Sequence, residues 1–248
     1  MKSSNSFLSL FVTVVTIVIG FNSFAQVPEV GTRESFLKLD NVDQEQYLHI
    51  VSREVEEVAP DYEAVYEGLV EKSGAASLGQ VFMTIDKFIA LGQKIWKIVE
   101  AGKPVSNSSF AKAISVIPNM DDPNSTFSSM SNWKMPIVRS FKVTYKNGFG
   151  SEVISFVYTV AFQYGGKYEG KGAYLTGLFV TASNISVSWG FNFNASSEVI
   201  SIANQGSLDS PIASAMIKVN YKASSVLRSI DENDLFFVNG QGMLQRMR

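Results

Sequence analysis

ISFVYTVAFQY, residues 154–164, sets Ile154, Phe156, Tyr158, Val160, Phe162 and Tyr164 against Ser155, Thr159 and Gln163. Successive side chains of a β-strand point to opposite faces, so this period of two predicts a strand with one apolar side. The same period holds just upstream, where Phe141, Val143 and Tyr145 alternate with Lys142, Thr144 and Lys146. Asn147-Gly148 lies between the runs and supplies a strong turn signal, while Gly165-Gly166 closes the second run. Together the two runs predict an antiparallel hairpin.

Downstream the alternation returns. Ile185, Val187, Trp189, Phe191 and Phe193 alternate with Ser186, Ser188, Gly190, Asn192 and Asn194. Ile217, Val219 and Tyr221 alternate with Lys218, Asn220 and Lys222, and shorter strands are expected over 174–181, 199–203 and 235–238. Strands that are apolar on one face only need a second sheet to cover that face, which predicts a β-sandwich over residues 134–240.

Upstream the spacing changes to three and four. Asp40 or Asn41 offers a helix N-cap, and Tyr47, Leu48, Val51, Val55 and Val58 would share one face of a helix ended by Pro60. A second helix is expected over 62–72. A third is expected over 78–101, with Val81, Ile85, Phe88, Ile89, Ile95, Trp96 and Val99 as its apolar stripe and Gly102 and Pro104 as its end. Residues 27–39 read as an extended arm, 105–133 as a Ser/Asn/Pro-rich linker with a short strand or turn at 113–117, and 241–248 as a frayed basic C-terminus. The expected fold class is α+β: N-terminal amphipathic helices over 26–104, followed by an antiparallel β-sandwich of about six or seven strands.

The beginning of the chain carries an address. Lys2, the apolar run 7–21 and Ser23-Phe24-Ala25 have the order of a cleavable export signal. The run is shorter than the ~20 residues that span a bilayer and lacks a basic flank beyond it. The mature chain would begin at Gln26 and be secreted or periplasmic. It has no cysteine, so it must hold by packing alone, which favours a bacterial envelope or secreted protein over a eukaryotic extracellular one.

The residue inventory limits chemistry. There is no cysteine for a Cys-His arrangement, and a Ser-His-Asp arrangement would have to use His49, the single histidine, against which no G-x-S-x-G elbow positions a serine, so no catalytic residue is assigned. Zinc lacks ligands, and Asp121, Asp122 and Asn124 lack the spacing of a calcium loop, so no metal or other cofactor is expected. No phosphate-binding glycine motif is present, hence no nucleotide. The acids of the strand-rich half, Glu152, Glu169, Glu198 and Asp209, fall at strand ends or turns.

What remains is surface. The loop 164–172 carries Lys167, Tyr168 and Lys171 among glycines, and Trp133 and Phe149 are aromatics outside clear strands. These five are the candidate contacts for a protein or glycan partner. Lys142, Lys146, Lys218 and Lys222 would form a basic stripe facing an anionic surface if their strands shared a sheet. The expected function is an exported, non-enzymatic β-sandwich protein with a binding or structural role at the bacterial envelope or outside the cell. A membrane-active pore former is the alternative, and a carboxylate-dependent hydrolase the third reading. Expressed in a bacterial host, the protein is expected to be recovered outside the cytoplasm with Gln26 as its first residue, read by N-terminal sequencing; a cytoplasmic chain still beginning at Met1 would refute the export reading.

Overall fold

The computed structural model describes residues 32–70, 80–105 and 113–247; the export signal expected over 1–25 lies outside them. The helices are α1 (Arg33–Phe36), α2 (Asn41–Leu48), α3 (Tyr62–Val70) and α4 (Pro123–Ser128). The strands are β1 (Ile50–Val58), β2 (Val81–Ile85), β3 (Phe88–Leu91), β4 (Ile95–Glu100), β5 (Lys103–Pro104), β6 (Ile114–Pro118), β7 (Ile137–Asn147), β8 (Glu152–Tyr168), β9 (Lys171–Val187), β10 (Asn192–Asn204), β11 (Ala213–Ser224), β12 (Ser229–Asn239) and β13 (Leu244–Met247). They form a seven-stranded sheet in the order β1-β7-β8-β9-β6-β3-β2 and a six-stranded sheet in the order β13-β12-β11-β10-β4-β5.

The predicted hairpin is β7 and β8, paired antiparallel with Phe141 opposite Tyr158 and Tyr145 opposite Ile154. Asn147 closes the turn by accepting the backbone N–H groups of Phe149 and Ser151 on its side-chain oxygen. The apolar face of the hairpin meets the six-stranded sheet. Across that interface Phe156 lies 4.6 Å from Phe193 and 5.4 Å from Tyr221, and Phe141 lies 5.1 Å from Phe236, between ring centroids. Truncating one such buried ring to alanine costs about 3–5 kcal/mol, so these contacts are the main adhesive of a chain without disulfides. Trp96 belongs to the same core: its indole N–H donates to the carbonyl of Val180 in the opposite sheet at 3.2 Å.

The first two expected helices are partly present. Asp40 caps α2 through the N–H of Asp43, and α3 occupies the second predicted site. Within the stretch expected as an extended arm, Thr32 caps the short helix α1. The helix expected to continue to Val58 instead stops at Leu48. Residues 50–58 pair with β7 as an edge strand, where Glu54 meets Lys146 on the outer face and Glu57 meets Arg139 on the opposite one. The spacing of Val51, Val55 and Val58 fits a helix face equally well, and the pairing partner decides.

The long helix expected over 78–101 is replaced by β2, β3 and β4. All four residues of β3 are buried, which a helix lying on a surface does not allow. Gly92, between β3 and β4, has φ +124°. A Cβ there would come within 2.4 Å of the Ala113 carbonyl oxygen. The expected linker 105–133 holds β6, five buried residues placed between β9 and β3, so this stretch contributes to the sheet rather than separating two regions. The C-terminus, expected to fray, pairs with β12 as β13.

Gly92→Ala discriminates the two readings by sign. In a helix it would stabilise by about 1 kcal/mol. In the strand connection it forces positive φ on alanine and a clash with backbone, so a loss of about 2–3 kcal/mol is expected in denaturant unfolding.

Candidate functional site

Side chains alternate in and out along β10, β11 and β12, and the outward set forms rows across the six-stranded sheet. Lys97 on β4, Ser196 on β10, Asn220 on β11 and Asn233 on β12 are register neighbours in one row. Asn194, Lys222 and Asp231 form the next row. With Glu100, these side chains line a groove of about 530 Å3 whose floor includes Val99, Ala195 and Tyr221. β4 enters through a register shift between Ala195 and Ser196, an irregularity of the kind that bends a strand.

The groove keeps hydrogen-bonding capacity in hand. Lys97 pairs with Glu100, Asn194 accepts the Ala101 N–H at 3.0 Å, and Asn220 donates to Glu198 at 3.4 Å. Ser196, Lys222, Asp231 and Asn233 make no side-chain hydrogen bond or ion pair within the described residues. In the next row Glu198 is held below the ordinary carboxylate range by its 2.6 Å contact with Lys218.

Behind the groove, the inward residues of the same strands form a buried polar network. The Asp234 carboxylate is 4% exposed and accepts hydrogen bonds from the hydroxyls of Tyr221 at 2.6 Å and Tyr158 at 2.8 Å, and from Arg246 at 2.7 Å. Arg53 reaches Glu232 at 2.9 Å and Asp234 at 3.6 Å, and lies over the Tyr221 ring at 5.5 Å. Burial works to raise the Asp234 pKa, but the bonds from Tyr221, Arg246 and Tyr158 outweigh it and hold the carboxyl below its ordinary value. Burial, reinforced by Asp234, raises the Tyr158 and Tyr221 hydroxyls well above theirs. Two arginines and two carboxylates therefore sit neutralised between the sheets.

The residues singled out from sequence are dispersed by the structure. Trp133 packs on Phe127 at 5.8 Å and covers Gly166, where a Cβ would fall within 2.4 Å of its ring. Ser131, two residues before it, pairs with Lys167 through the backbone. Tyr168 is half-buried against the core, and Lys171 is exposed beside it at the β8–β9 turn. Phe149 lies at the other end of β8, 17 residues long, so the five do not make one site. Lys142 and Lys146 are on β7 and Lys218 and Lys222 on β11, in different sheets. Three of the four are paired with Glu152, Glu54 and Glu198, so the expected basic stripe does not form.

His49 is exposed at the end of α2, and Asp122 caps α4 by accepting from the Asn124 N–H and Ser125 hydroxyl. Among the described residues no group of three or more His, Cys, Asp or Glu is placed to hold a metal ion. Glu232 and Asp234 are neighbours on one face of β12 and share Arg53 rather than opposing each other across a cleft. Sequence reasoning passed over this pair, yet a signal existed: in 230–238 the inward positions read Ile, Glu, Asp, Phe, Val, placing two acids in an apolar alternation. Tyr158 and Tyr221, on apolar faces with a hydroxyl to satisfy, are the complementary signal. No protein-family model, curated protein or solved structure matches the chain.

Asp234→Ala would leave Arg246 and Arg53 without their shared partner, and a loss of about 3–5 kcal/mol is expected in denaturant unfolding. The wild type gains stability from ionised Asp234 above its unfolded pKa of about 3.9 and loses it as pH falls through the lower folded value. Asp234→Asn is expected to lack that component of the acid-side decline, measured as unfolding free energy against pH.

Proposed function

We propose that the protein is an exported, non-enzymatic binding module that recognises a neutral, hydroxyl-rich ligand, a glycan, on the outer face of its six-stranded sheet. The observation that carries this reading is the convergence of Ser196, Lys222, Asp231 and Asn233, uncommitted among the described residues, in one groove. Hydroxyl, amide, ammonium and carboxylate groups together supply the donors and acceptors that sugar hydroxyls need. Charge balance supports a neutral ligand: Lys97 and Lys222 face Glu100 and Asp231, and Glu232 is neutralised from behind by Arg53. A floor stiffened by cross-strand pairing and the Asp234 network needs little ordering on binding, which favours recognition by small numbers of hydrogen bonds.

The test is a glycan array followed by calorimetry on the chain from Gln26. At least one neutral oligosaccharide is expected to bind. Asn233→Ala and Asp231→Ala should each weaken it about tenfold, the equivalent of 1.4 kcal/mol for one or two hydrogen bonds. Affinity is expected to change little between roughly 0.05 and 0.5 M salt, since no net charge is being neutralised. Retention of anionic glycans alone, or binding indifferent to both substitutions, would defeat the proposal.

A further inference from the structure

One end of the sandwich gathers exposed apolar side chains on separate apices. Val187 of β9 pairs with Ile154 and Asn192 of β10 with Ser224, which brings the turns 188–191 and 225–228 to the same end. There α2 ties them together. The Tyr47 hydroxyl donates to the Trp189 carbonyl at 3.0 Å, and the Ser225 hydroxyl donates to the Leu48 carbonyl at 2.6 Å. A Cβ on Gly190 would touch Leu48 at 3.0 Å, so both turns lean on that residue. At this end Val226 is 82% exposed, Leu227 51%, Trp189 38%, and Leu37 and Val42, around α1 and α2, 62% and 72%.

Turn apices are normally glycine, asparagine, aspartate, proline or serine. A Val-Leu pair held there is unusual because the turn itself is rigid. Ser225 donates its N–H to the Arg228 carbonyl at 2.8 Å, and its hydroxyl accepts the N–H groups of Leu227 and Arg228. Arg228 in turn donates to the Ile50 carbonyl at 2.8 Å. The apex is braced outward rather than folded back on the core. Trp189 is braced as well, with its ring 4.7 Å from Phe36.

We infer that this end docks on a lipid bilayer, inserting Val226, Leu227 and Trp189 at the level of the headgroups with Leu37 and Val42 beside them. Five apolar side chains on protruding tips fall well short of the roughly 20–30 residues a stable protein interface engages on each side. Shallow insertion into a bilayer needs only a few, and tryptophan is at home at the membrane–water boundary. The flanking charges are mixed, Arg33, Lys38 and Arg228 against Glu34, Asp40 and Asp43, so the attraction is apolar and does not require anionic lipid. Arg228, beside the apex, is placed to meet a phosphate. This surface is separate from the groove and does not rest on the glycan reading.

The experiment uses the chain from Gln26, which contains every described element and lacks the apolar run 7–21. It is mixed with phosphatidylcholine vesicles, with and without anionic lipid, and bound protein is measured by co-sedimentation. Trp96 is buried and Trp133 is packed on Phe127, so brominated lipid should quench Trp189 selectively. Binding to neutral vesicles is expected, with little gain from anionic lipid. The double variant Val226→Ser, Leu227→Ser should lower partitioning about 100-fold while leaving the thermal unfolding midpoint unchanged, because both side chains are exposed. Asn233→Ala in the groove should leave vesicle binding intact. Absence of vesicle binding, binding unaffected by the double variant, or bound protein with Trp189 unquenched would each overturn the inference. A concentration-dependent dimer abolished by the same variant, without vesicle binding, would assign the tips to a second copy of the chain and overturn it equally.

Discussion

Asp234 receives hydrogen bonds from both sheets at once: Tyr158 belongs to the seven-stranded sheet, Tyr221 and Arg246 to the six-stranded one. An apolar interface between two sheets is non-directional and tolerates sliding, whereas a carboxylate with three donors accepts one relative placement. The aromatic rings of Phe141, Phe156, Phe193 and Phe236 hold the sheets together; Asp234 specifies how they meet. In a chain without disulfides, the specification has to come from inside the core. The same carboxylate also anchors β13, the last strand, through Arg246, and with the Arg139 bond to the Leu244 carbonyl it keeps the C-terminus on the edge of the sheet.

The network and the groove are two sides of the same strands. Tyr221 points inward to Asp234 while Asn220 and Lys222 point outward; Glu232 and Asp234 point inward while Asp231 and Asn233 point outward. Strand alternation thus couples a rigid interior to a polar exterior within a few residues. The interior groups bond mainly to one another, with Arg53 Nη1 and Arg246 Nε left without a partner, and the exterior leaves several whole side chains open. The outward lysines Lys142, Lys146 and Lys218, by contrast, are neutralised by glutamates.

The lysines show how far residue lists carry. Lys142 and Lys218 occupy equivalent outward positions in equally clear strands, and nothing local tells that those strands belong to different sheets. Trp133 and Tyr168 read as exposed loop aromatics, yet both pack on the core, and Gly166 is what lets the Trp133 ring lie down on the sheet. The acids at 232 and 234 were legible as a break in alternation, but their meaning required Arg53, which is distant in sequence and lay in a segment read as helix.

The sequence by itself determined β7, β8 and β11 and the inward and outward face of each, because a period of two sustained over many residues has one physical interpretation; the alternating run 185–193, read as one strand, is instead broken by the turn 188–191 between β9 and β10, which only the pairing of each with its own neighbour decides. It also determined the N-cap of α2 and the hairpin turn at Asn147, which are local hydrogen-bond chemistry. Tertiary structure alone decided β1 to β4, and it turned the short strand or turn read at 113–117 into β6, a buried strand of the sheet. Runs of four to nine residues are too short for their periodicity to separate strand from helix, and their conformation is set by partners far away, as Ile89 is by Ile117 and Val55 by Val143. The pairing of Tyr158 with Asp234 was decided in the same way, since only the stacking of the two sheets brings a hydroxyl and a carboxylate 76 residues apart to 2.8 Å.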